Sequence, residues 1–347
     1  MAGRVHLGFV LALALIASLG GCAPSDPGQV SIALLLPESK TTRYESVDRP
    51  VFAKRLQELG DYRLLYSNAD QDAAKQQAQA EAALASGVGV LVLDPVDAQA
   101  AHSITASAAA QGVPVIAYDR LPEGGGFAYY VSFDNERIGL LQGTAFADAV
   151  GSTPGDSGIL MVNGSPTDPN AAEFKKGAEQ EIKTAGLTVL ASFDTPDWSP
   201  DQAQNWVSAQ ITRFGSRIVG VYAANDGTAG GAIAALKAAN VSPMPVVSGQ
   251  DAELAGIQRI VTGDQYLTVY KEIREQASRA ADAAVALVKG ESVDASTEVD
   301  GTPATILPAE VVTKDTIMST VVADGVYSVA DICTPAYAAA CEEAGIR

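Results

Sequence analysis

Residues 88–120, VGVLVLDPVDAQAAHSITASAAAQGVPVIAYDR, contain the pattern that decides the fold. The apolar run 88–93 predicts a buried strand, the alanine-rich stretch 98–111 predicts a helix, and 113–118 predicts a second strand. Both strands are apolar along their whole length, which is typical of a parallel sheet covered by helices on both faces. A polar pair, Asp119-Arg120, follows the second strand directly.

The same alternation continues in both directions along the chain. Before it, strands are predicted at 30–36 and 63–66 and helices at 51–59 and 70–86. After it, a second series has strands at 158–162, 188–192, 218–222 and 246–248 and helices at about 170–185, 202–214 and 228–240. Two successive units of similar size predict an α/β protein of two doubly wound, parallel-sheet lobes. The strand 129–133 lies between the series and is a candidate connection between the lobes.

The N-terminus has the features of a secretory signal. Arg4 precedes the apolar run 7–18, which is too short to cross a bilayer, and small residues lead to Cys22. The sequence Leu19-Gly20-Gly21-Cys22 resembles a bacterial lipobox, which implies cleavage after residue 21 and a lipid on Cys22. The alternative is an ordinary signal with an incidental cysteine. We expect a signal peptide at 1–21 and a lipidated tether at 22–29, which place the protein on the outer face of the cytoplasmic membrane.

Composition excludes several function classes. The formal net charge is −18, which argues against nucleic-acid partners and against adhesion to anionic lipid by charge. Hydrophobic residues make up 47% of the chain, enough for two sizeable cores. Besides Cys22 there are two cysteines, Cys333 and Cys341. In an oxidising compartment we expect them to form a disulfide, the alternative being two buried free thiols.

Motifs for catalysis are missing from the sequence. It contains no P-loop and no Gly-x-Ser-x-Gly nucleophile elbow. Of the two histidines, His6 lies in the signal and His102 in an alanine-rich helix, which leaves no transition-metal cluster. Carboxylates are numerous, so counting alone does not exclude a glycosidase pair. We expect no enzyme activity, no cofactor and no metal.

Polar residues cluster directly after the predicted strands. Because ligands of open α/β sheets bind at the carboxyl ends of strands, these loops are the place to look for a site. They mix Asp, Asn, Arg and Lys, which suits recognition of neutral hydroxyl groups more than acid–base chemistry, since charge-assisted hydrogen bonds are the strong ones. An aromatic face can cover the apolar side of a sugar ring.

Five segments in order carry a resemblance to a known family: 117–120 (AYDR), 131–136 (VSFDNE), 225–231 (NDGTAGG), 248–252 (SGQDA) and 268–271 (TVYK). With the lipobox, the chain resembles the type 1 periplasmic sugar-binding proteins, in particular their D-xylose-binding branch, from residue 30 to about 322. The resemblance implies two lobes joined by a three-strand hinge, a ligand cleft between them, and delivery of a monosaccharide to an ABC transporter permease with its ATPase. It further implies a monomer without enzyme activity.

Matching the family pattern residue by residue implies a set of ligand contacts. The polar contacts are Arg43, Asp119, Arg120, Asn135, Asn225, Asp251 and Lys271, with Asn170 as a further candidate. Trp198 is the expected stacking ring, and Tyr44 is its partner on the other lobe. The family usually has tryptophan at Tyr44 and glycine at Asn163, so the exact sugar is less well determined than the class.

Each of these residues also has a structural interpretation. Asp119 and Arg120 could form an ion pair, Trp198 could belong to the core, and Arg43 and Lys271 could be surface charges. Asn225 and Asp226 could cap the following helix, and we expect Asp226 mainly to do so. The implied N-terminal lobe is 30–132 plus about 272–300, and the C-terminal lobe is 133–271 plus about 301–347.

Three other functions remain possible at this point. The lactose-repressor-type regulators share the fold, but they carry a basic DNA-binding headpiece where this chain has a signal. A binding protein for a nucleoside, amino acid or autoinducer would need a different site, such as an aromatic slot for a base or paired charges for an α-amino acid. A sugar-converting enzyme would turn its ligand over. Within the sugar class, the alternatives to xylose are glucose, ribose or arabinose, or a sensor role with a membrane receptor.

Overall fold

A computed structural model describes residues 1, 3, 29–152 and 155–347 of the chain. Cys22, nearly all of the signal predicted at 1–21, and the tether before residue 29 lie outside this part. Within it, strands and helices alternate through two lobes, which confirms the predicted fold class.

The N-terminal lobe is built on a seven-stranded sheet of order β11-β12-β5-β4-β3-β1-β2, parallel except for the β11–β12 pair. Strands β1 and β3 are buried along nearly their whole length because helices cover both faces. The elements of this lobe are β1 (Val30–Leu36), α1 (Arg49–Leu59), β2 (Tyr62–Asn68), α2 (Ala73–Ala85), β3 (Val90–Leu93), α3 (Ala101–Ala110), β4 (Val115–Tyr118), β5 (Tyr129–Phe133), α9 (Ile273–Lys289), β11 (Thr297–Val299) and β12 (Thr302–Leu307).

The C-terminal lobe has a four-stranded parallel sheet of order β7-β6-β8-β9 and a separate antiparallel pair, β10 and β13. Its elements are α4 (Asn135–Val150), β6 (Gly158–Asn163), α5 (Pro169–Thr184), β7 (Val189–Asp194), α6 (Pro200–Phe214), β8 (Ile218–Ala223), α7 (Asp226–Ala238), β9 (Val246–Val247), α8 (Leu254–Thr262), β10 (Leu267–Lys271), β13 (Ala309–Thr313), α10 (Val329–Ile332) and α11 (Ala338–Glu343).

The described chain passes between the lobes three times, after β5, β10 and β12. One boundary differs from the expectation, which assigned residues from about 301 onward to the C-terminal lobe. Strand β12 instead pairs with β5 in the N-terminal sheet, and the chain crosses only at β13. The hairpin before β12 turns at Asp300-Gly301, both with positive φ. Asp-Gly is a favoured sequence for such a hairpin turn, so the sequence itself indicated that β11 and β12 pair.

Cys333 and Cys341 form a disulfide in the structure, with their Cα atoms 5.9 Å apart. Cys333 follows α10, and Cys341 lies in α11 and is almost fully buried. Both belong to an apolar cluster with α8 and Val312 of β13. The bond therefore ties the C-terminal segment to the C-terminal lobe, away from the cleft.

Candidate functional site

A cavity lies between the lobes. It is lined by Thr41, Arg43, Tyr44, Asp119, Arg120, Asp168, Asn170, Phe174, Trp198, Asn225, Gln250, Asp251 and Lys271. Nine of the ten residues implied by the family pattern are in this set, the exception being Asn135. The cavity is therefore the candidate site.

Strand ends bring these residues together although they are far apart in sequence. Arg43 lies in the loop after β1, and Asp119-Arg120 directly follows β4. From the other lobe, Trp198 lies after β7, Asn225 after β8, and Lys271 is the last residue of β10. The carboxyl ends of the strands in the two sheets thus face each other across the cleft. This is the edge of an open α/β sheet at which ligands bind.

Arg43 is buried and held by three side chains. It donates to both oxygens of Asp48, at 3.0 and 2.7 Å, to Asp119 Oδ1 at 3.3 Å, and to Gln276 Oε1 at 2.7 Å. Its side chain is only 3% exposed, so it is not a solvated surface charge. This network fixes the guanidinium at the cavity wall before any ligand arrives.

Asp119 is the anionic partner at the same wall. Burial alone would raise the pKa of its carboxyl, but Arg43, Lys271 and the hydrogen bond from Gln276 outweigh burial and lower the pKa to about 2. Its backbone has φ of +64°, and its carbonyl accepts from Ser132 at 2.6 Å and from Asn170 Nδ2 at 3.1 Å. Asp119 is therefore an ionised acceptor in the neutral pH range, and Asn170 links it to the opposite lobe.

Arg120 reaches across the cleft. Its Nη1 donates to the carbonyl of Pro95 at 2.9 Å and its Nη2 to the hydroxyl of Tyr44 at 3.2 Å. Its Nε lies 3.3 Å from Asp94 Oδ1 on its own lobe and 3.0 Å from Asp168 Oδ2 on the other lobe. Burial raises the pKa of both carboxyls, with the Arg120 charge acting against it. Arg120 thus forms an ion pair within its own lobe and another between the lobes.

Trp198 forms an aromatic wall of the cavity. Its Nε1 donates to Asp168 Oδ2 at 3.0 Å, and its ring packs against Gly164 so closely that a Cβ there would lie 2.1 Å from a ring carbon. Asp168 also caps α5 by accepting from the backbone N–H of Asn170 at 2.9 Å. One carboxylate therefore orients both the ring and the start of the helix.

Asp251 and Lys271 form a further buried ion pair at the cavity, with 2.8 Å between Oδ1 and Nζ. Both side chains are at most 5% exposed. The Lys271 ammonium also lies 5.5 Å from the ring centres of Phe133 and Phe174. Asp251 has φ of +90°, a conformation that Asp and Asn tolerate better than most residues.

The expected role of Asp226 as a helix cap differs in the structure. Asn225, not Asp226, caps α7, in a reciprocal pair of contacts with Thr228. The expectation for Asp226 was wrong because its carboxyl points into the lobe. There it accepts from the backbone of Glu253, from Gln265 and from Thr268. Asn225 lines the cavity as well as capping the helix.

Asn135 and Asn163 lie away from the cavity. Asn135, the first residue of α4, is buried beside Glu173 in a groove between the lobes near β11 and β12. Asn163 Nδ2 donates to Ser192 and to Asp194, each at 2.9 Å, at the end of β6. Neither residue lines this cavity.

Four lining residues were missed by the sequence reasoning: Thr41, Asp168, Phe174 and Gln250. Phe174 lies one helical turn after Asn170, so its position on the same face of α5 could have been read from the spacing. Asp168 precedes Asn170 by two residues as the N-cap of α5, and Gln250 adjoins Asp251. The sequence indicated these residues only by their closeness in the chain to residues already selected as ligand contacts.

Cationic and carboxyl side chains are equal in number on the cavity wall, while Asp48 and Asp94 lie behind it as further partners of Arg43 and Arg120. Three cationic side chains, Arg43, Arg120 and Lys271, face three carboxyl groups, Asp119, Asp168 and Asp251. Charged side chains that are held in ion pairs can donate and accept hydrogen bonds, and together they do not favour a ligand that carries a net charge. The wall therefore suits a small neutral ligand with several hydroxyl groups and one apolar face.

Comparison with known proteins places the chain in a family. Residues 32–292 match the family described as periplasmic binding protein domain. The D-xylose-binding periplasmic protein of Escherichia coli K12 is 34% identical over 88% of this chain and 93% of its own. The multiple sugar-binding periplasmic protein SbpA of Azospirillum brasilense is 34% identical over 71% and 74%. A solved carbohydrate transporter solute-binding protein from Chloroflexus aurantiacus, in complex with D-glucose, has a TM-score of 0.79 and 29% identity over 87% and 98%.

The chain belongs to the periplasmic binding protein family. Its members bind substrates outside the cytoplasmic membrane and do not convert them, so the chain is an extracytoplasmic substrate-binding protein and not an enzyme. In the described part of the chain, no helix is both long and apolar enough to cross a membrane. Nor do the described residues contain a cluster of three or more metal-ligating side chains.

Proposed function

We propose that this protein captures a monosaccharide, D-xylose first among them, and delivers it to an ABC importer. The observation that supports this most is the cavity between the lobes, which is lined by paired charges and has Trp198 on one side. The paired charges and the aromatic face suit a single sugar ring, which has several hydroxyl groups and one apolar face. Closure of two lobes over such a ligand would remove water and strengthen each polar contact.

The choice of D-xylose rests on the relatives. The two D-xylose-binding periplasmic proteins, from Escherichia coli and Haemophilus influenzae, are 34% and 33% identical to this chain. Other relatives are named for multiple sugars, and a solved neighbour holds D-glucose. Tyr44 replaces the tryptophan usual in the family, so glucose, ribose and arabinose are the alternatives within the same proposal.

A thermal-shift panel of neutral sugars tests the class directly. D-xylose should raise the melting temperature most, because a ligand that binds only the folded state stabilises it by mass action. Recovery of the sugar unchanged after incubation separates binding from turnover. A panel in which amino acids or nucleosides stabilise the protein, and sugars do not, would contradict the proposal.

The proposed partners follow from the same role. A monomeric binding protein, closed on its sugar, would dock on a permease that carries its own ATPase. The proposed lobes are 30–132 with about 272–307, and 133–271 with about 308–347, which takes the pairing of β12 into account. A role as a sugar sensor with a membrane receptor is the second candidate, because the closed lobes could signal in the same way.

We propose that a lipid on Cys22 holds the protein at the membrane. Cys22→Ala should move it from the membrane fraction to the soluble fraction, because the acyl chains are the anchor. Sugar affinity should stay the same, since the cavity lies in the folded lobes. Fractionation followed by immunoblotting is the measurement. A mutant that remains with membranes after a high-salt wash would contradict the anchor.

A further inference from the structure

Glu253 makes a contact between the lobes outside the sugar cavity. Its Oε1 accepts from the backbone N–H of Thr42 at 3.1 Å, and Thr42 belongs to the loop after β1 in the N-terminal lobe. Glu253 precedes α8 of the C-terminal lobe but makes no side-chain cap to that helix. Its carboxyl group therefore contacts the other lobe instead of its own helix, and the residue is only 7% exposed.

The carboxyl groups that surround Glu253 disfavour a further negative charge on it. Asp226 accepts from the Glu253 backbone at 2.8 Å, and Asp251 is also close. Burial, followed by the charges of Asp226 and Asp251, raises the pKa of Glu253 to about 8. Hydrogen bonds from the side chain and the backbone N–H of Thr42 act in the opposite direction and do not outweigh them.

Other charged groups share the small cavity beside Glu253 but are paired elsewhere. Arg43 is bound to Asp48, Lys271 to Asp251, and Arg274 to Glu272. Arg259, which faces Asp226 from α8, donates to the Asp226 carbonyl and to Gln265. Tyr327 also lines this cavity, and burial raises the pKa of its hydroxyl, with Asp226 adding to the effect. Among the described residues, no salt bridge compensates the Glu253 charge.

We propose that Glu253 is a positioning residue that joins the lobes in the closed state in its protonated form, so that closure on the sugar takes up a proton. This rests on the proposed function, since sugar capture drives closure. In the open state the N-terminal lobe withdraws and water reaches the carboxyl. Its pKa then falls, because burial is the largest cause of the raised value, while the charges of Asp226 and Asp251 in the same lobe stay in place. The contact does not touch the sugar, because Glu253 is absent from the cavity wall.

The sign of the pH dependence follows from linkage. The group has the higher pKa in the closed state, so affinity is greatest at low pH and falls as pH rises through about 8. Between pH 6 and 8 the wild-type affinity for D-xylose should fall by about 10- to 50-fold. Asp119, with a pKa of about 2, does not titrate in this range. Burial raises the pKa of Asp226 to about 7, within this range, but its partners Gln265, Thr268 and the Glu253 backbone all lie in its own lobe. We therefore expect its titration to be the same with and without sugar.

Calorimetric titration with D-xylose at pH 6.5, in two buffers of different ionisation enthalpy, measures this proton uptake. The sugar carries no titratable proton in this range, so uptake by the wild type of a substantial fraction of one proton per sugar comes from the protein. Glu253→Gln keeps the acceptor for Thr42 but cannot titrate. It should take up no proton and show a flat affinity between pH 6 and 8. Glu272→Gln, in the same small cavity but paired within its own segment, should behave like the wild type.

A second measurement needs no ligand. Small-angle X-ray scattering of the sugar-free protein should show a more compact wild type at pH 5.5 than at pH 8, and no such change in Glu253→Gln. Equal pH profiles in the wild type and Glu253→Gln, by either method, would overturn the inference. If the wild type binds no sugar in the panel, the proposed function fails, and the scattering experiment still decides the role of Glu253.

Discussion

Asp251→Asn should weaken D-xylose binding by about 100-fold or more. The substitution removes the charge paired with Lys271 at 2.8 Å, where both side chains are buried once the lobes close. Breaking one partner of a buried pair costs about 3–5 kcal/mol, and about 1.4 kcal/mol corresponds to a tenfold change in affinity. Asparagine also tolerates the positive φ at this position, so the backbone is not strained as it would be by alanine. Calorimetric titration with D-xylose gives the affinity.

The matched control is Asp264→Asn in the same lobe. Asp264 pairs with Lys237 at 2.6 Å, but both are partly exposed and lie away from the cavity. Exposed pairs contribute little, so this variant should bind D-xylose like the wild type. Thermal melting of both variants verifies folding. A folded Asp251→Asn protein with unchanged xylose affinity would exclude this pair from the site.

Trp198→Ala should reduce D-xylose affinity by about 10- to 100-fold. The indole is 5% exposed and lines the cavity, where it would cover the apolar face of a sugar ring. Truncation also removes the N–H that donates to Asp168, the carboxylate that pairs with Arg120 across the cleft. Trp198→Phe retains an aromatic face without the N–H, so it should bind with intermediate affinity. Both variants are measured by calorimetric titration.

The other tryptophan of the chain provides the control. Trp206 lies in α6 and stacks on Phe193 with 5.3 Å between ring centres, outside the cavity. Trp206→Ala should leave xylose affinity unchanged while lowering stability through lost packing. If Trp206→Ala weakens binding as much as Trp198→Ala does, the loss reflects general destabilisation and the stacking role is refuted.

Local patterns in the sequence predicted the alternation of elements and the region of the site. Apolar runs such as residues 30–36 are strands because both faces of a parallel sheet are buried. Polar residues directly after them, such as Asp119 and Asp251, lie at the cavity because carboxyl ends of strands meet there. Asn135 shows the limit of the rule: it follows β5 directly, yet β5 leads out of its lobe, and the side chain lies in a different groove.

What the sequence could not predict depends on contacts between distant segments. Gln276 binds Arg43 from 233 residues away, and Glu253 meets Thr42 from 211 residues away. No periodicity encodes such pairs, because packing within the N-terminal lobe brings Gln276 to Arg43 and the approach of the two lobes brings Glu253 to Thr42. Likewise Asn225 and Asp226 are both good cap residues by type. Only the fold, which turns Asp226 towards Gln265 and Thr268, decides between them.

Calorimetric titration of the wild type with D-xylose, D-glucose, D-ribose and L-arabinose tests the central claim most directly. The account predicts saturable binding of one sugar per chain, with D-xylose the tightest. The hydroxymethyl group of D-glucose should weaken binding through crowding and an unpaired hydroxyl. Tighter binding of another sugar in the set would preserve the class and replace the ligand. Absence of heat and of saturation with all four sugars would contradict the account.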